Sequence, residues 1–90
     1  MTKEQQLKNL TVIPGVGKSI AQDLWNIGIK KVDQLNGKKP EQLYKMSNEY
    51  AGAVQDRCLL YVFRCAVYFA ETKDKQQDKE KLKWWNWKNK

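Results

Sequence analysis

The run Ile13-Pro14-Gly15-Val16-Gly17 separates two stretches of helical periodicity and dictates how they meet. Leu7, Leu10 and Ile13 precede it at helical spacing, and Ile20, Ala21, Leu24 and Trp25 follow it in the same way. Pro14 fixes its own φ and steers Ile13 out of the α region, so the first helix has to stop there. Two glycines one residue apart then admit backbone conformations closed to other residues and let a ligand approach closely. The expected outcome is a helix, a tight turn and a second helix opening at Lys18 and Ser19. Unpaired amides and the positive end of the helix dipole favour an anion at such a start, and Lys18 adds a full charge.

This run, with Ala21 four residues after Gly17, resembles the helix-hairpin-helix motif of proteins that bind DNA without reading its sequence. The resemblance implies hairpin amides on the phosphates of one strand along the minor groove, with a monovalent cation held by hairpin carbonyls. Carried onto this chain, the phosphate contacts fall on Gly15, Val16, Gly17, Lys18 and Ser19. Two enzymatic readings fail on the same residues. The phosphate loop of a nucleotide hydrolase needs a glycine where Val12 stands and a preceding buried strand. A base-excision lyase carries its catalytic lysine where this chain has Ser19, keeps an aspartate where it has Gly37, and must enclose a flipped base. The chain has no histidine, which removes Ser-His and Cys-His nucleophiles and leaves zinc only carboxylates and two cysteines. No catalysis and no resident cofactor are expected.

Downstream, Asn26-Ile27-Gly28-Ile29 reads as a helix stop, with Gly28 at the left-handed position. Val32 with Leu35, and Leu43 with Tyr44, mark two further short helices around Asn36-Gly37-Lys38-Lys39-Pro40, where Pro40 suits a first helical turn. The pair reads as a second, degenerate hairpin. It lacks Gly-x-Gly and offers Lys38 and Lys39 for charge contacts with DNA, unless the two are a solvated lysine pair in a loop. Residues 56–70 are apolar nearly all round and form the strongest helix, capped by Asp56 and suited to be the spine of the fold. Its one polar stripe is Arg57, Tyr61, Arg64 and Tyr68, read as cation-π support for the fold in preference to a phosphate contact.

Thr72 to Lys83 alternates lysine with acids and glutamines around Leu82 and reads as a linker or a solvated helix. Trp84, Trp85 and Trp87 then crowd into four residues. Disordered tails avoid such residues, so the indoles are expected to dock on the core while Lys83, Lys88 and Lys90 stay wet. Exposed indoles stacking on unpaired bases are the other use of such a tail. Cys58 and Cys65, two turns apart and roughly 10 Å along a helix, are expected to be reduced core residues.

Lysine and arginine outnumber aspartate and glutamate 17 to 10, giving a net charge of +7 spread over both halves of the chain. Such a charge attracts polyanions without specifying which. The sequence has no apolar run long enough to span a membrane and opens without a secretory pattern, so a cytoplasmic location is expected.

From Leu10 onward the order of features resembles the pathogenicity-locus family of small bacterial helix-hairpin-helix proteins. It does so through Ile13-Pro14-Gly15-Val16-Gly17, Asp23-Leu24, Ile27-Gly28-Ile29, Pro40-Glu41-Gln42-Leu43-Tyr44, Asp56-Arg57-Cys58, Phe63-Arg64-Cys65-Ala66-Val67-Tyr68-Phe69 and Trp84-Trp85-Asn86-Trp87-Lys88. The expectation is an all-α chain: a compact five-helix, SAM-like domain over residues 1–90 with tandem hairpins, a polar linker at 71–83 and a Trp-rich tail at 84–90. Its partner is expected to be duplex DNA, bound without sequence preference and without catalysis. A protein-interaction or adaptor module, with a protein partner or a second copy, is the alternative.

Overall fold

A computed structural model describes residues 2–72 and 77–88. Four α-helices form: α1 (Lys3–Leu10), α2 (Lys18–Asn26), α3 (Pro40–Ala51) and α4 (Arg57–Glu71). Single 3-10 turns lie at Val32–Leu35, Lys79–Leu82 and Trp84–Trp87, and there is no strand among the described residues. The expected fifth helix is the Val32–Leu35 turn. Four residues before the Asn36-Gly37 break are too few for an i to i−4 ladder, and the tighter 3-10 pattern closes instead.

The helix ends follow local chemistry. Thr2 and Gln5 exchange side-chain and backbone hydrogen bonds across the first turn of α1. Gly28, at φ +93°, ends α2 and lets the Ile29 amide return to the Leu24 carbonyl at 2.9 Å. Pro40 opens α3 and the left-handed Gly52 closes it. The Asp56 carboxylate caps α4 by accepting the Cys58 amide at 2.8 Å.

Helix α4 is the spine. It buries Leu59, Leu60, Val62, Phe63, Cys65, Ala66 and Val67. Leu10, Ile13, Leu24, Leu35 and Leu43 close over it from the other elements. Phe63 is 0% exposed, and a side chain of that kind contributes about 1.5–3 kcal/mol on burial. Cysteine placement splits: Cys65 is in the core, whereas Cys58 is only half-buried, and both are free thiols.

The carboxy-terminal segment lies across α4. Trp84 packs against the core. Trp87 sits 5.7 Å from Tyr68, ring to ring, and its indole N–H donates to the Lys81 carbonyl at 2.7 Å. Arg64 fastens this segment. Its Nε donates to Glu41 Oε2 at 3.1 Å, its Nη1 to the Trp87 carbonyl at 2.7 Å, and it lies over the Tyr61 ring. The Arg-Tyr stripe therefore supports the fold. Docking holds for Trp84 and Trp87, whereas Trp85 is 50% exposed. The expected linker at 71–83 contains the end of α4 and the Lys79–Leu82 turn, while its residues 73–76, like Lys90, lie outside the described residues. No helix among the described residues is long and apolar enough to cross a membrane.

Candidate functional site

Between α1 and α2 the chain closes a tight turn in which the Ile13 amide returns to the Leu10 carbonyl at 3.2 Å and the Val16 amide to the Ile13 carbonyl at 3.0 Å. Ile13 and Val16 bury their side chains and pin the turn to the core. The two glycines do different work. Gly15 has φ +85°, and a Cβ on it would stand 2.8 Å from Trp84 Cδ1, closer than real Cβ contacts come. Gly17 has an ordinary φ of −93° and a Cβ there would meet nothing within 4 Å. The first glycine answers an internal need. The second leaves space open toward solvent.

Gly17 is also the residue before α2, and it supplies no side-chain cap. The amides of Gly17, Lys18 and Ser19 have no acceptor among the described residues, and all three residues are exposed. Of the five positions expected to meet phosphate, these three are exposed residues whose amides have no acceptor among the described residues. Val16 spends its amide inside the turn, and Gly15 has one flank under Trp84. The two sides of the turn differ in charge. Lys8 and Lys18, with Glu4, line a groove of about 750 Å³ on one side. Asp23 and Asp56 line the groove beside Gly15 and Trp84. Burial raises the Asp23 carboxyl above its usual range, and the hydrogen bond from the Cys58 amide lowers that of Asp56. An anion is therefore drawn to the Lys8 and Lys18 side.

The turn before α3 repeats this geometry. Gly37 lies three residues before α3, as Gly15 does before α2, with φ +82° against +85°. The Lys38 amide returns to the Leu35 carbonyl at 3.0 Å, matching Val16 and Ile13. The Leu43 amide meets the Lys39 carbonyl at 3.1 Å, matching Ala21 and Gly17 at 2.9 Å. Leu35 and Leu43 are buried, as are Ile13 and Ala21. The differences are chemical: Lys39 replaces Gly17, Pro40 removes the amide that Lys18 has, and the Gly37 amide donates to Glu71 Oε2 at 2.9 Å. Lys38 and Lys39 are exposed and form no ion pair among the described residues. Neither Gly37 nor Glu71 stood out as a candidate in the sequence. The signal for Gly37 was the shared apolar-x-Gly spacing of residues 13–15 and 35–37; Glu71, 34 residues away, left none.

The Trp84–Trp87 segment reaches both turns. Trp84 covers Gly15 at one end, and Trp87 borders a groove shared with Lys38, Lys39, Arg64 and Tyr68 at the other. Among the described residues no cluster of histidine, cysteine and carboxylates could hold a metal ion.

The family model described as pathogenicity locus matches residues 3–90. A curated relative, the mitomycin resistance protein McrB of Streptomyces lavendulae, is 36% identical over 63 residues, which are 70% of this chain and 60% of that protein's length. This chain thus spans about 60% of the length of the curated relative it matches. No solved structure matches.

Proposed function

We propose that this chain, which belongs to the pathogenicity-locus family, binds duplex DNA through the phosphate backbone, without sequence preference and without catalysis. In this reading the α1–turn–α2 unit is a helix-hairpin-helix element and the turn before α3 its diverged partner. The observation that carries it is the uncapped start of α2, where the amides of Gly17, Lys18 and Ser19 face solvent beside the Lys18 ammonium. Backbone amides and a helix dipole hold phosphate oxygens whatever the base sequence. Lys38 and Lys39 add a second positive contact. The monovalent cation that such hairpins imply fits the donors present, since the carbonyls of Thr11 and Val16 accept no hydrogen bond among the described residues. Its charge would add to the attraction for phosphate.

Titrating a duplex at several salt concentrations tests this. With Lys18, Lys38 and Lys39 each neutralising one phosphate, log affinity falls against log salt with a slope of about −2.7, roughly a 40-fold loss between 50 and 200 mM. Gly17→Ala and Lys18→Ala weaken binding while the helical signal is retained. Binding that ignores salt, or that both folded variants keep in full, refutes the proposal. The similarity to a mitomycin resistance protein adds a proposal of context: that this binding serves resistance to mitomycin, so that deleting the gene sensitises its host.

A protein-docking role is the second reading. Met46 and Tyr50, one turn apart on α3 and 38% and 66% exposed, are the side chains on which a partner would dock in that reading.

A further inference from the structure

Gly37 is the counterpart of Gly15, and its amide is taken. The acceptor is a carboxylate delivered from the last residue of α4, 34 positions along the chain, at 2.9 Å. Both sides of this contact are exposed, so no burial forces the two together. Glu71 also borders the groove that Lys38 and Lys39 line. A carboxylate oxygen held by a turn amide beside two lysines has the charge and hydrogen-bonding capacity of a phosphate oxygen in the same place. The first turn carries no such carboxylate on its free amides.

We propose that the second turn, at Gly37, Lys38 and Lys39, is a phosphate site that the chain fills with its own Glu71 carboxylate, and that DNA phosphate must displace Glu71 to use it. This rests on the DNA-binding reading above and deepens it. The second hairpin is then closed by competition as well as diverged in sequence. One exposed carboxylate is a weak competitor, because hydrogen bonds to charged groups at a surface contribute little net free energy. In the parent chain Lys38 and Lys39 meet duplex phosphates through their ammonium groups while the Gly37 amide stays with Glu71, and one further phosphate contact opens when the carboxylate is displaced.

Glu71→Gln removes the charge and keeps the shape. Glu49→Gln, on the exposed face of α3, removes an equal charge away from both turns and serves as the control. The Glu71 variant is expected to bind duplex roughly three- to tenfold more tightly, the size of one ordinary net hydrogen bond, because the contact is exposed to solvent. Its salt slope should steepen by about 0.9, one further phosphate. The Glu49 variant should keep the original slope. A second readout needs no DNA: inorganic phosphate, titrated while amide resonances are followed, should move the Gly37 amide in the Glu71 variant and not in the parent chain. A gain no larger than that of Glu49→Gln, or a Gly37 amide indifferent to phosphate in Glu71→Gln, overturns the inference. Failure of the DNA reading shows itself separately, as parent and Lys18→Ala proteins that bind duplex equally or not at all, while the Gly37 resonance still decides whether the anion site exists.

Discussion

Replacing Gly15 and Gly17 by alanine one at a time should separate folding from binding. At Gly15 the φ of +85° costs any residue with a Cβ about 1–2 kcal/mol. The added methyl also arrives 2.8 Å from Trp84 Cδ1 and 3.3 Å from Cγ, so the indole has to move off a surface it shares with the core. Overpacking of that kind costs about 1–3 kcal/mol. The two together come to about 3 kcal/mol, which in a chain of this size lowers Tm by roughly 12–24 °C. At Gly17 the backbone is ordinary and the new methyl meets nothing within 4 Å. The remaining cost is that of alanine as an N-cap, about 0.5–1 kcal/mol. Urea and thermal unfolding followed at 222 nm measure both. A Trp84→Ala background isolates the contact: without the indole, Gly15→Ala should lose only the conformational part, leaving a coupling of about 1–3 kcal/mol. A Gly15→Ala protein within 1 kcal/mol of the parent, or an equal penalty in both backgrounds, would show that Trp84 does not rest on this turn.

Arg64→Lys should destabilise by about 1.5–3 kcal/mol and raise protease cleavage after residue 78, because a point charge cannot serve Glu41 Oε2 and the Trp87 carbonyl together; an unchanged midpoint contradicts this. Burial pushes the Cys65 thiol from 9.0 to about 11, so the folded state keeps a proton that the unfolded state has already released. Stability from this group is complete below pH 9 and falls as pH rises from 9 to 11, a decline that Cys65→Ala should lack in urea titrations across that window. In the parent chain iodoacetamide should label Cys65 only after unfolding, since the thiol is buried. Phe63→Ala should cost about 3–5 kcal/mol and leave little folded chain at 37 °C, since the ring is fully enclosed on α4.

Short-range chemistry made much of the architecture legible. Gly28 ends α2, Asp56 starts α4, and the 56–70 run is the spine, because each of these depends on residues within one helical turn. Helix α1 stops at Leu10, short of the break expected at Pro14. The same locality explains the miscount at Val32–Leu35: apolar spacing alone does not tell a 3-10 turn from a short helix. The candidate site was legible to the same extent. Ile13-Pro14-Gly15-Val16-Gly17 located a turn with outward amides, yet it did not divide the labour between its glycines, since the reason for Gly15 is an indole 69 positions away in the chain. The indoles posed the same difficulty. Trp84, Trp85 and Trp87 fall within four residues, and only the path of that segment over α4 partly buries two of them and leaves Trp85 half exposed. Backbone preference and hydrophobic period act between near neighbours, so the sequence by itself determined where α2 ends, where α3 and α4 begin and which residues of each are apolar. Whether an amide is free or already holds a carboxylate depends on which distant side chain folding delivers to it, and the tertiary structure alone decided that for Gly17 and for Gly37.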